Sequence, residues 1–146
     1  MGLFDFAKGI GKKIFGSKDD DEKASEKLTQ HIEEDNPGIS NLQVTVEDGV
    51  ANIKGDADSP TAFEKAVLMA GNALGIGEVK AEEFKAPEQT DEVQFYEIEK
   101  GDSLWKIAKQ FYGNGNDYPK IFEANKEVIK DPDLIFPGQK IRIPMG

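Results

Sequence analysis

The sequence has no cysteine and a single histidine, His31. Disulfide scaffolds and thiolate metal sites are excluded. Ser–His pairing and His-rich zinc chemistry have almost nothing to work with. No apolar run approaches the ~20 residues of a membrane span. Cations are also scarce: 18 Lys+Arg stand against 28 Asp+Glu, a net charge of −10. That balance repels phosphate backbones, so a general nucleic-acid binder is not expected. A phosphate loop, a Gly-x-Ser-x-Gly elbow and a metal triad are missing as well, so the expectation is a protein that is not an enzyme.

What is present is 146 residues, 38% of them hydrophobic and 32% charged. That length makes one ordinary domain or two very small ones. The N-terminus lacks a continuous apolar segment with a small-residue cleavage site. Phe6 stands where a myristoylation signal needs Ser or Thr. The expected compartment is therefore the cytoplasm.

Charge divides the chain into zones. Residues 1–18 carry four lysines against Asp5, a net of +3. Residues 19–35 carry eight acids and two lysines, a net of −6, and residues 36–95 carry eleven acids and four lysines, a net of −7. Residues 96–146 hold eight of each sign and are neutral.

Hydrophobic spacing places the elements. Leu3, Ala7, Ile10 and Ile14 predict a short amphipathic helix over 1–18. Gly9 and Gly11 weaken it by roughly 1 kcal/mol each relative to Ala. With Lys8, Lys12 and Lys13 on its polar side, it could lie on a membrane or dock on the rest of the chain; docking is favoured, because the acidic remainder is repelled by anionic lipid. A second helix follows to about Asp35, with Ala24, Leu28 and Ile32 on one face. The run Asp19–Glu22 reads as a solvated helix start, lacking the spacing of a calcium loop. Leu42, Val44 and Val46, the turn Glu47–Gly49, then Ala51 and Ile53 predict a β-hairpin. Ser59-Pro60 opens a third helix with a core face of Phe63, Ala66, Val67, Ala70 and Leu74, ended by Gly75. Val79, Ala81 and Phe84 form a strand. Asp56 and Asp58 read as cap and turn residues.

Residues 86–94 have no periodicity and read as a linker. Beyond them come a strand with Phe95, Tyr96 and Ile98, a helix with Leu104, Ile107, Ala108 and Phe111, a short helix Tyr118–Asn125, and a closing strand Lys140–Pro144. The expected class is α+β: an N-terminal helix (1–18), an αββαβ unit (19–85), the linker (86–94) and a βααβ unit (95–146).

Several fixed positions of the last unit carry a resemblance: Tyr96 to Ala108 with Gly101-Asp102-Ser103-Leu104 at its centre, Asn125, and Ile135 to Pro144. This segment resembles a LysM (lysin motif) domain. Gly49, Ala51, Ile53, Gly55 and the Gly75–Val79 segment make the preceding unit similar to a BON domain. In this order, behind a Met-Gly-Leu-Phe start, the two resemble the small cytoplasmic potassium-binding proteins of bacteria. The resemblance implies a monomeric potassium sensor or buffer, active in stress response, that compacts on binding the ion. LysM domains otherwise imply binding of N-acetylglucosamine glycans such as peptidoglycan, in a groove flanked here by Gly101–Leu104 and Pro132–Phe136. A protein-interaction adaptor is a third class. Trp105 is expected as a packed or half-exposed helix residue rather than a sugar platform, and His31 on a partly exposed helix face without a catalytic role.

Potassium chemistry explains why side chains give so little away. A ring of neutral carbonyl dipoles replaces the water shell of K+, whereas clustered carboxylates favour divalent ions. The site should lie where carbonyls are freed from helical bonding, at glycine-broken ends. The candidates are the Ala7–Gly11 stretch and the end of the third helix at Leu74–Ile76. The expected ligand-bearing residues are Ala7, Ile10, Gly11, Gly75 and Ile76.

Overall fold

A computed structural model of the chain describes residues 4–6, 9, 11, 15 and 20–145. Two layered units follow one another, each with its own core. In the first, α1 (Asp21–Glu34) leads into the hairpin β1 (Ile39–Glu47) and β2 (Val50–Ala57). Then come α2 (Pro60–Gly71) and β3 (Glu78–Lys80). The sheet order is β1-β2-β3, antiparallel within the hairpin and parallel between β2 and β3. Both helices begin where their caps dictate. The Asp20 carboxylate accepts from Lys23 N–H at 2.8 Å, and the Ser59 hydroxyl oxygen accepts from Ala62 N–H at 3.0 Å with Pro60 following. The role expected of the Asp19–Glu22 run is therefore seen at Asp20. Leu28 and Ile32 of α1, Ala51 and Ile53 of β2, and Val67 and Ala70 of α2 are fully buried together. Each such Leu, Ile or Val contributes about 1.5–3 kcal/mol by leaving water.

The second unit runs β4 (Val93–Glu97), α3 (Leu104–Tyr112), a 3-10 turn (Gly115–Asp117), α4 (Tyr118–Ala124) and β5 (Lys140–Pro144). β4 and β5 pair antiparallel, Tyr96 opposite Ile141. Ile107, Ala108, Ile121, Ile141 and Ile143 fill its core with no exposure. Asn125 is buried and ties the unit together. Its amide donates to the Ile121 and Arg142 carbonyls and its oxygen accepts from Arg142 N–H, all at 2.7–2.8 Å.

Two expectations are corrected. The amphipathic helix expected over 1–18 lies mostly outside the described residues, and so do Lys8, Lys12 and Lys13. Phe4–Phe6, which are described, are extended: Asp5 pairs antiparallel with Glu78, Val79 N–H donates to Phe4 O, and Phe6 N–H donates to Gly77 O. The reason is that β3 has β2 on one side only, and its other edge offers backbone groups that need partners. The second correction concerns the end of α2. The helix stops at Gly71 with Asn72 as its cap, ahead of Gly75. A tight non-helical passage over Asn72–Gly77 follows, in which Gly75 has φ +102°.

The two units meet through polar contacts. The Arg142 guanidinium of β5 reaches Glu64 of α2 at 2.8 Å, the two side chains only 5% and 8% exposed. Lys65 of α2 pairs with Glu127 at 3.1 Å, and Lys130 pairs with Asp35 at 2.7 Å. From the segment between the units, the Gln89 amide donates to Glu64 at 3.2 Å.

Candidate functional site

Where α2 ends, its last carbonyls lose their helical donors and the helix dipole puts negative partial charge on them. Three remote pieces of chain converge there. The first is the N-terminal segment. Gly11, at φ +153°, lies so close to the passage after α2 that a β-carbon on it would stand 2.5 Å from Asn72 O and 2.7 Å from Leu74 N. Only a glycine allows backbone against backbone at that range. The ring of Phe6 lies over Gly71 in the same way, 2.1 Å from where a β-carbon would be. Phe15 comes within 3.9 Å of the β-carbon position of Gly75.

The second piece is the passage itself. Ile76 is buried, donating its N–H to Ala73 O at 3.1 Å, and Gly77 N–H donates to Gly49 O at 2.9 Å. These bonds pin the turn from both sides. The third piece comes from the second unit. The Asn72 side chain donates to Lys140 O and accepts from Lys140 N–H, both at 2.8 Å, so a helix cap is paired as a strand neighbour would be. The buried Lys140 side chain continues past Asn72. Its Nζ donates to Asp5 O and sits 4.4 Å from the Phe6 ring centroid. Burial pulls the Lys140 ammonium below the usual lysine range, with Asp5 and Glu97 pulling the other way.

Of the residues expected to carry the site, Gly11, Gly75 and Ile76 fall in this one region, while Ala7 and Ile10 lie outside the described residues. Sequence reasoning missed Asn72 and Lys140. Their partnership joins positions 68 residues apart, and no local pattern announces it. Among the described residues, no three His, Asp or Glu side chains gather as a metal cluster.

Elsewhere the surface offers less chemistry. A groove of about 250 Å³ runs between the units, lined by His31, Met69, Val128, Leu134 and Phe136 and mostly apolar. His31 is half-buried in the last turn of α1. Trp105 is 46% exposed on α3, with Lys109 Nζ 5.4 Å from its ring. Asp102 accepts from the Tyr96 hydroxyl at 2.6 Å and from Glu99 N–H at 2.8 Å. Burial and that carboxylate push the Tyr96 hydroxyl up. None of the helices among the described residues is long and apolar enough to cross a membrane.

Comparison with known proteins assigns both units. Residues 20–85 match the BON domain and residues 96–144 the LysM domain. The chain is 41% identical over 149 aligned positions to the potassium binding protein Kbp of Escherichia coli O6:H1, covering 99% of each. Other similarities are confined to about a third of the chain. An uncharacterized protein of Deinococcus radiodurans is 53% identical over 49 residues, 34% of this chain and 19% of that one. The spore coat assembly protein ExsA of Bacillus cereus is 45% identical over 47 residues, 32% of this chain and 7% of that one.

Proposed function

Since this chain belongs to the family of the bacterial potassium binding protein Kbp, we propose that it binds potassium ions through backbone carbonyls and compacts as it does so, serving as a cytoplasmic, monomeric sensor or buffer rather than an enzyme. The observation that carries this reading is the approach of Gly11 to Asn72 and Leu74. It brings the backbone of an N-terminal glycine onto a helix C-terminus, where the dipole is negative. Neutral oxygens suit a weakly hydrated monovalent ion. The carbonyls proposed as ligands are those of Ala7, Ile10, Gly11, Gly75 and Ile76. The net charge of −10 raises the local cation concentration without choosing among cations.

The decisive experiment is titration with potassium and, separately, sodium at constant ionic strength, read by calorimetry and small-angle scattering. Potassium should give heat and a smaller radius of gyration; sodium should give neither. Absence of both effects at millimolar potassium would sink the reading. The same reading divides the chain into 1–18, 19–85, a linker at 86–94 and 95–146; since β4 begins at Val93, limited proteolysis without potassium should cut first within 86–92.

A second reading, glycan binding by the LysM domain, is supported by Leu134, which is 67% exposed on the loop before Pro137. Pelleting with insoluble peptidoglycan, unaffected by potassium, would favour it.

A further inference from the structure

The side chain of Lys140 performs a task that its place in β5 does not require. A strand residue at the junction of two units is ordinarily apolar or points to water. Lys140 instead carries an ammonium out of the second unit and delivers it to the first. Its backbone is fixed by the reciprocal pair with Asn72, both bonds 2.8 Å, so the starting point of the side chain is set by the cap of α2. Its Nζ then donates to the carbonyl of Asp5 and stands over the Phe6 ring at 4.4 Å. Asp5 and Phe6 are in turn paired to β3 and seated on Gly71. The extended segment thus has a sheet edge beside it, a glycine beneath it and a lysine from the far end of the chain holding its carbonyl. Five residues beyond Phe6, Gly11 lies against Asn72 and Leu74.

We propose that Lys140 is a positioning residue for the cation site. Its ammonium fixes the Asp5 carbonyl and the Phe6 ring, close in sequence to Gly11, which lies against the end of α2. The inference rests on the proposed function, because it assigns a device to that same site. Asn72 is the hinge of this device: one face of the residue borders Gly11 through its carbonyl, and the side chain holds Lys140. Ion binding in the first unit and docking of the second are then two ends of one equilibrium, each strengthening the other by the same factor.

Two opposing effects must be weighed. A positive charge near a cation site repels the ion, whereas ordering the segment favours it. The ammonium is spent on a carbonyl and a ring face, with Asp5 and Glu97 carboxylates acting on it. Those partners offset part of its field, while the bond to the Asp5 carbonyl adds a tie from the second unit to a segment that β3 holds from the first. Positioning therefore outweighs repulsion.

The test uses the full-length chain and three proteins: wild type, Lys140→Met and Lys140→Arg. Met keeps the unbranched apolar stem, one atom shorter, and removes the donor, whereas Arg keeps charge and donors. Calorimetric titration with potassium chloride at constant ionic strength should show affinity weakened about fivefold or more in Lys140→Met, the low end of ordinary coupling between sites. Lys140→Arg should recover most of it. Thermal unfolding in choline chloride, without potassium, should be unchanged or raised in Lys140→Met, because a desolvated cation has been removed. A merely structural lysine would lower unfolding temperature and affinity together. Equal affinity in all three proteins, or tighter binding by Lys140→Met, would overturn the inference while leaving the proposed function standing. No potassium binding by the wild type would instead remove the proposed function itself.

Discussion

The ring of Phe6 occupies the space above Gly71 that a β-carbon would need, its nearest atoms 2.1 Å from that position. Replacing an interior helical glycine by alanine ordinarily gains about 1 kcal/mol. At Gly71 the sign should reverse. The ring must leave or the helix must shift, and overpacking costs typically ~1–3 kcal/mol. Gly71→Ala should therefore lower the unfolding temperature and speed hydrogen exchange at the amides of Phe6 and Val79, which bond the segment to β3. Unaltered exchange at both amides would show that the ring is not seated as described.

Asn72→Ala removes both bonds to Lys140 and leaves a buried N–H and a buried carbonyl without that partner. Each group left unsatisfied costs about 1–3 kcal/mol. The loss in urea denaturation should be about 2 kcal/mol or more by that measure. Asn72→Asp keeps the acceptor but sets a buried carboxylate oxygen against the Lys140 carbonyl, so it should be at least as damaging as alanine.

Glu64 and Arg142 form a buried pair, and one-sided changes should be worse than two-sided ones. Glu64→Gln leaves the Arg142 guanidinium, 5% exposed, without its counter-charge. Breaking such a pair costs about 3–5 kcal/mol, while replacing both partners by apolar residues can be neutral. Glu64→Leu combined with Arg142→Met should therefore be more stable than Glu64→Gln alone. A double variant as weak as the sum of its singles would contradict the description.

The Tyr96 hydroxyl gives a pH dependence of known sign. Burial, then Asp102, raise its folded pKa above the ordinary 10.0. The folded state thus holds the phenolic proton more tightly than the unfolded chain does. This contribution is fully present below pH 10 and is lost as pH climbs from there through the raised folded value. Urea denaturation at pH 9 and pH 11 should show a larger loss for wild type than for Tyr96→Phe. Equal losses would refute the assignment.

Much of the fold was legible because its signals are local. Asp20 and Ser59 cap their helices in the expected places, and the Glu47–Gly49 turn joins the expected strands. Leu3, Ala7, Ile10 and Ile14, which carry the helical period, lie outside the described residues. Phe4–Phe6 satisfy the open edge of β3, a demand that arises only after β3 has folded. The end of α2 was placed late for a similar reason: Asn72 serves the second unit as well as its own helix. Gly11 and the 75–76 turn could be named in advance because glycine marks broken helix ends. Asn72, Lys140, Glu64 and Arg142 could not, since each looks like an ordinary surface polar residue until a partner some 70 positions away arrives.

The contact between Lys140 and Asp5 spans 135 positions, so the first strand-like segment and the last strand touch. Asp5 and Lys140 thus bring early and late parts of the chain together. A circular permutant that joins the old termini by a flexible linker and opens between residues 86 and 88, ahead of Gln89, should keep every contact described here. Because its new ends would sit at the boundary between the units, fluorophores attached there would report directly on any change in their separation.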